Sequence, residues 1–229
     1  MFVRIKPDSE AAPPVPAREA AREPVALSPQ RRGRIVAGAS EIFVRDGYEG
    51  ASMAQIADAA RVSKGTLYNY FPSKQALFEA FVRERCATLV ENVFGEPDAA
   101  ALLDLAAELG RIGRTMLSMM MSPDGRAIYR VVVMESSKFP ELAKAFYNAG
   151  PRTMTDRMAS WLARQIDAGT LRPHDPKFAA EQFFALTQAR LLMQARTDAT
   201  FVASAAEIDF VVDGAVAVFL AAYRATPSG

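Results

Sequence analysis

The stretch from Ser52 to Lys74, SMAQIADAARVSKGTLYNYFPSK, constrains the fold more than any other part of the chain. Its spacing predicts two short helices joined by a tight turn. Ser52 is placed to N-cap the first helix, and Gln55 three residues later completes a capping box. Met53, Ile56, Ala57 and Ala60 recur at i, i+3, i+4 and i+7, a narrow apolar face with little bulk. Ala57 and Ala60 leave room for a second helix to cross closely. Val62 fills the turn, Ser63 is the N-cap of the second helix, and Pro72 stops that helix.

The second helix carries the chemistry. Leu67 and Phe71, at i and i+4, turn inward and leave Lys64, Gly65, Thr66, Tyr68 and Asn69 on the outer surface. A cation, hydroxyls, an amide and a glycine that permits close approach suit phosphates and base edges in a DNA major groove. Thr66, Lys64 and Tyr68 are the candidates for base readout. Ser52, Tyr70 and Lys74 are the candidates for phosphate, and Ser63 completes the set. Ser73 caps the next helix and puts Lys74 in its first turn, a placement suited to clamping a phosphate. The competing reading is a helical hairpin inside a core, its tyrosine and lysine merely solvated.

The stretch resembles the DNA-binding segment of the TetR family of transcriptional regulators, whose signature runs T/S-x-x-x-I-A-x-x-A-x-V-S-K-G-T-L-Y-x-Y-F-x-S-K-x-x-L. Here it stands as Ser52, Ile56, Ala57, Ala60, then Val62 to Tyr68, then Tyr70, Phe71, Ser73, Lys74 and Leu77, with no departure. The resemblance implies an all-α protein in which a three-helix, helix-turn-helix DNA-binding domain precedes a larger helical domain for ligand binding and dimerisation.

Charge is placed accordingly. Over the whole chain 27 Lys/Arg oppose 26 Asp/Glu, so no global basicity points to nucleic acid. Residues 29–74 nevertheless hold seven cations (31, 32, 34, 45, 61, 64, 74) against four acids (41, 46, 49, 58), a net of +3. Arg31, Arg32 and Arg34 crowd the start of the first helix, where cations oppose the macrodipole. Phosphate contact is the preferred explanation, solubility the other.

The single cysteine, Cys86, leaves no internal disulfide framework; it reads as a small buried hydrophobe or, alternatively, a redox-sensing thiol. His174, the one histidine, sits between Pro173 and Asp175 without the partners a metal site needs, and no metal or cofactor is expected. No run reaches the ~18 apolar residues of a membrane span. Residues 1–28, rich in Ala, Pro, Arg and Glu and lacking an apolar h-region, read as a flexible arm in the cytoplasm. Residues 29–74 then form the DNA-binding domain and 75–229 the second domain.

About nine helices are expected from the periodicity. The first runs from the Ser28-Pro29 cap to Asp46, closed by Gly47. The fourth, from Ser73 to about Phe94, is the one element expected to touch both domains. Gly95-Glu96-Pro97-Asp98 breaks it. The fifth carries Leu102, Leu105, Leu109, Ile112, Met116 and Met120; the sixth holds Ile128, Val132 and Phe139, with Glu135 on the same side. Pro140 opens the seventh, which Gly150-Pro151 should kink or split. The eighth starts at Asp175-Pro176 and runs through Met193. The ninth, from about Ser204 to Tyr223, is nearly apolar all round from Phe210 onward, which a partner subunit would cover.

The segment from Asp124 to about Arg196, above all ESSKFPELAKAFYNAGP, resembles the C-terminal domain of the AefR-like branch of TetR regulators. That likeness implies an effector-binding and dimerisation domain whose eighth and ninth helices pair across a two-fold axis. Methionines at 116, 119, 120 and 121 suit an adaptable apolar pocket, since methionine repacks around varied shapes. Met116, Met120, Phe146, Met158, Trp161 and Phe183 are the pocket candidates; the alternative for each is ordinary core. Glu135 on an apolar face either selects a cationic ligand or plays a structural part, as its presence in similar members of the branch implies.

No enzyme is expected. The chain has no Gly-x-Ser-x-Gly, no histidine partner for Cys86, no phosphate-cradling glycine loop and no acidic metal cluster. The expected function is a homodimeric repressor that binds a palindromic double-stranded operator and is released by a small lipophilic effector. Two alternatives stand beside it: a DNA-binding activator or dual regulator of the same fold, and a small-molecule carrier without DNA function. The carrier has no use for Lys64, Tyr70 and Lys74 at their spacing.

Overall fold

The structure, a computed structural model, describes residues 28–95 and 104–225. Eleven α-helices follow one another among them: α1 (Pro29–Gly50), α2 (Met53–Ala59), α3 (Lys64–Tyr70), α4 (Lys74–Phe94), α5 (Leu105–Met121), α6 (Pro123–Glu135), α7 (Pro140–Tyr147), α8 (Thr153–Asp167), α9 (Pro176–Gln188), α10 (Leu191–Thr197) and α11 (Ala205–Tyr223). One π-helical turn, Asn148–Arg152, joins α7 to α8. The only β feature among these residues is an isolated bridge between Leu171 and Arg224. The all-α expectation holds. The N-terminal arm up to residue 27, the loop residues Glu96, Pro97 and Asp98, and Leu102 lie outside the described residues.

The helix starts follow from capping. Ser28, Ser52, Ser63, Ser73, Asp104, Ser122, Asp175 and Ser204 each accept a backbone N–H with the side chain. Ser52 and Gln55 form the full capping box, as Ser204 and Glu207 do at α11. Gly47 has φ 74° and ψ 177° and interrupts α1 where the sequence placed its end. Only glycine adopts that conformation without strain.

The count exceeds nine for two reasons. The predicted seventh helix is split at Gly150-Pro151: Pro151 has no N–H for the ladder, and the π turn takes up the slack. Gly150 also lets this turn lie against α4, because a Cβ there would stand 3.0 Å from Cys86 Sγ. The predicted eighth helix breaks at Ala189–Arg190 into α9 and α10, which turns Leu191 and Leu192 into the core. α6 ends at Glu135, so Phe139 leaves the helix predicted to hold it and precedes Pro140 at the start of α7.

Buried side chains fall into two clusters. One unites α1, α2, α3 and the first half of α4 around Phe43, Phe78 and Phe81, and it takes in Ile128 and Val132 of α6 and Leu142 of α7. The other joins the end of α4 to α5, α8, α9, α10 and α11. α4 therefore runs from one cluster into the other. It is not alone in touching both parts, because α6 packs against α1 as well.

Buried Glu108 anchors the second cluster. Its carboxylate takes two hydrogen bonds from Arg111, at 2.9 and 2.7 Å, and Arg111 donates a third to the Val93 carbonyl at 2.8 Å. That bidentate pair ties α5 to the end of α4.

Candidate nucleic-acid interface and internal cavity

α2 and α3 form the helix-turn-helix. Ala60 N donates to Ile56 O at 2.9 Å and Val62 N to Ala57 O at 3.0 Å, closing α2 through a residue, Arg61, with φ 53°. The close crossing made possible by small residues is with α1: a Cβ on Gly38 would come within 2.8 Å of the Ala60 backbone nitrogen. Leu67 is fully buried, and Phe71 is buried beside it. Lys64, Gly65, Tyr68 and Asn69 are exposed on the opposite face, with Thr66 half-buried at its edge. Tyr68 exposes half of its surface.

Gly65 has no internal reason to be glycine. Its φ is not positive, and a Cβ built there would meet only Ser63 Oγ at 3.9 Å. Ser63 Oγ accepts from Thr66 N at 3.0 Å and lies 2.9 Å from Thr66 Oγ1, so Ser63 serves α3 as its cap. Ser52 Oγ is likewise engaged, with Gln55. Tyr70 is half-buried, and its hydroxyl oxygen accepts from Ser28 N at 2.8 Å, fastening the start of α1 to α3.

Lys74 differs from the expectation of a phosphate clamp. Its ammonium donates to the carbonyls of Tyr48 (2.7 Å), Ala51 (2.9 Å) and Glu49 (3.3 Å) and sits 4.6 Å from the centre of the Tyr48 ring. An ammonium has three donors, and all three are aimed at the α1–α2 turn. Arg32 also has internal partners, Glu84 of α4 and the Phe71 ring. Arg31, half-buried, and Arg34, exposed, have no ion-pair partner among the described residues.

A cavity of about 570 Å³ opens between α4, α5, α6, Phe146 of α7 and α10. Leu89, Met119, Met120, Ile128 and Leu192 form its apolar walls. Of the pocket candidates, Met120 and Phe146 line it. Met116, Met158, Trp161 and Phe183 do not; they are packed in the second core cluster. Glu135 does not line it either, because its Oε1 is turned away to accept the Glu49 N–H at 3.2 Å. Cys86 does form part of the wall, and burial pushes its thiol up to about 11. A thiol so rarely ionised is a poor redox sensor.

The sequence reading did not single out the arginines at the cavity, Arg85, Arg126, Arg130 and Arg196. The available signal was the i, i+4 pair on α6. Among the described residues no group of three or more His, Cys, Asp or Glu side chains is placed to hold a metal, and no helix is long and apolar enough to cross a membrane.

Comparison with known proteins agrees with this geometry. Residues 35–81 match the family described as bacterial regulatory proteins, tetR family, and residues 107–225 match the C-terminal domain of AefR-like transcriptional repressors. The HTH-type transcriptional activator FasR of Mycolicibacterium smegmatis is 45% identical over 64 residues, which span 28% of this chain and only 29% of that protein. The HTH-type transcriptional regulator RutR of Escherichia coli is 28% identical over 158 residues, 69% of this chain and 72% of RutR. The solved structure of the flavonoid-responsive regulator FrrA is 30% identical, superposes with a TM-score of 0.73, and pairs 88% of this chain with 100% of its own. With both halves matched and the reading head in place, the chain belongs to the TetR family of bacterial transcriptional regulators.

Proposed function

We propose that this regulator is a homodimeric repressor of the AefR-like branch that binds a near-palindromic operator and is released by a small effector. The observation that carries DNA reading is the outer face of α3: exposed Lys64, Gly65, Tyr68 and Asn69, with a glycine whose missing side chain serves nothing inside the protein. Thr66, Lys64 and Tyr68 read bases in this arrangement, and Arg31 and Arg34 at the start of α1 supply phosphate contacts. Ser52, Ser63 and Tyr70 hold the head together and present their remaining valences to the backbone of the duplex. Lys74 acts as a brace that sets the α1–α2 turn. Residues 29–74 are the reading unit, residues 75–229 the effector and dimer unit, and the protein works in the cytoplasm, where its operator is.

The effector enters the cavity beside α6. Support for release by a ligand comes from that cavity and from FrrA, whose name describes it as flavonoid-responsive. Repression is supported by the AefR-like repressor match over 107–225. Activation is the second reading, favoured by FasR, an activator by name, over its 64 matched residues.

A protected-fragment search with genomic DNA tests the proposal. The expected result is a short set of near-palindromic sites with half-sites about one helical turn, ~34 Å, or a small multiple apart. Protection without sequence preference would overturn it. A reporter placed behind a recovered site then gives the sign of the output.

A further inference from the structure

We propose that the cavity binds an amphipathic monoanion, an apolar body ending in one carboxylate-type group, held at the mouth by Arg130 and Arg196. The inference deepens the effector reading above and rests on it for the consequence at DNA, not for binding itself. The walls are apolar, and two of them, Met119 and Met120, are adaptable. The volume of about 570 Å³ falls in the range that takes a drug-sized ligand.

The charged groups around it are one-sided. Four arginines face the cavity against one acid, Asp124, and no lysine or glutamate lines it, so the excess is 4 − 1 = +3. Two of the four are accounted for within the protein. Arg85 pairs with Asp124. Arg126 donates to the carbonyls of Asp198, Ala199 and Phe201 and so staples the segment after α10 to α6.

Arg130 and Arg196 have no carboxylate partner among the described residues. Arg196 lies over the Tyr129 ring at 4.8 Å, a contact with the ring face that leaves its N–H donors for another acceptor. Both residues are exposed, which puts the ligand's charge at the mouth and its apolar body inside. A cation entering here would meet the positive excess of the lining, and a neutral body would leave the two guanidinium groups to water. A second charge along the body of the ligand is disfavoured by the apolar walls, which cannot solvate it. An anion at this mouth joins α6 to α10.

The test uses the full chain without DNA. Titration calorimetry is run with decanoate, 1-decanol and decyltrimethylammonium below their aggregation concentrations, and with 2-naphthoate against 2-naphthol so that body shape does not decide the result. The anion of at least one pair is expected to bind about tenfold or more tightly than its neutral partner, the scale of a charge-assisted hydrogen bond. The R130Q/R196Q double variant should lose that preference and keep the affinity for the neutral partner. Its circular dichroism should match wild type, since both side chains are at the surface. Equal affinity for anion and alcohol, a preference that survives in the double variant, or no binding by any probe overturns the proposal. Anion binding that leaves operator affinity unchanged in a gel shift supports the anion site and sinks the effector reading, which separates the two failures.

Discussion

At Gly65 the requirements of fold and function point in opposite directions. Nothing lies within 3.9 Å of a Cβ built there, and alanine favours a helix over glycine by up to about 1 kcal/mol. Gly65→Ala is therefore expected to leave stability unchanged or slightly raised in denaturant melts, while operator affinity falls tenfold or more. A variant that binds as wild type does would show that no partner approaches this backbone. Lys74 gives the converse case. Lys74→Ala strips the part-buried carbonyls of Tyr48 and Ala51, and the exposed one of Glu49, of their donor, at a cost of about 1 kcal/mol. Operator affinity should fall with stability, but the slope of log affinity against log salt should not change; a drop of about one unit would mark a phosphate contact instead. Cys86 carries the pH dependence. Its thiol is raised from 9.0 to about 11 in the folded chain, so the unfolded chain releases its proton first. Stability from this group is complete below pH 9 and is lost as pH rises toward 11, by at most about 3 kcal/mol. Wild type and Cys86→Ala should therefore show stability curves that converge or cross only in that alkaline window.

Among the elements, α6 has two occupied faces. Val132 sits in the core of the reading head, Tyr129, Arg130 and Val133 border the cavity, and Ile128 contributes to both. Its C-terminal end is fastened to that of α1. Glu135 accepts the Glu49 N–H, and Lys138 pairs with the Glu49 carboxylate, holding it below the usual carboxylate range. Phe139 meets Tyr48 edge-on at 4.9 Å, and the carbonyl of Tyr48 takes Lys74. A ligand that moved α6 would act on the α1–α2 turn through these contacts. Glu135→Gln keeps an acceptor for Glu49 and is expected to hold stability and operator affinity close to wild type. Glu135→Leu leaves that N–H unpaired and should cost about 1–2 kcal/mol and weaken operator binding; identical behaviour of the two variants in melts and gel shifts would refute the fastening. This join was only partly legible in the sequence. α2 and α3 could be read because caps and apolar spacing are local, and the split before α8 because Gly150-Pro151 announces it. Glu135 was visible as a misplaced carboxylate, but its partner lies 86 residues away. The break between α9 and α10 carries neither glycine nor proline; it is imposed by the packing of Leu191 and Leu192. The cavity arginines gain meaning only once the partners of Arg85 and Arg126 are known.

At the scale of the whole molecule, the proposed pairing of two copies requires surface that one copy leaves uncovered. On α11, Phe210, Gly214, Ala217, Val218, Ala221 and Ala222 are exposed at helical spacing, and Phe210 shows 68% of its surface. On α9, Phe178 and Leu186 stand out in the same way. Gly214 has open space where a Cβ would be, so a second helix can approach closely there. Phe219, on the same helix, is 1% exposed and packs on Phe183 at 5.5 Å and Tyr223 at 4.8 Å inside its own subunit. The two phenylalanines therefore separate assembly from folding. Phe219→Asp places a charge in the core and is expected to abolish the cooperative melt of the subunit. Phe210→Asp removes from the subunit itself only the exposed contact of the ring with Arg190 at 5.5 Å, so the subunit should keep its helical circular dichroism and sediment as a monomer. Wild type is expected to sediment as a dimer at micromolar concentration, the outer stripe supplying the apolar centre of an interface of ordinary size, ~1,600 Å² in total. The Phe210→Asp monomer keeps an intact α3 and should still bind a single half-site weakly. It loses the second half-site as an intramolecular event, and affinity for the full operator should fall on the order of 100-fold or more. Wild-type protein sedimenting as a monomer at micromolar concentration, or Phe210→Asp dimers with undiminished operator affinity, would place the two-fold axis elsewhere.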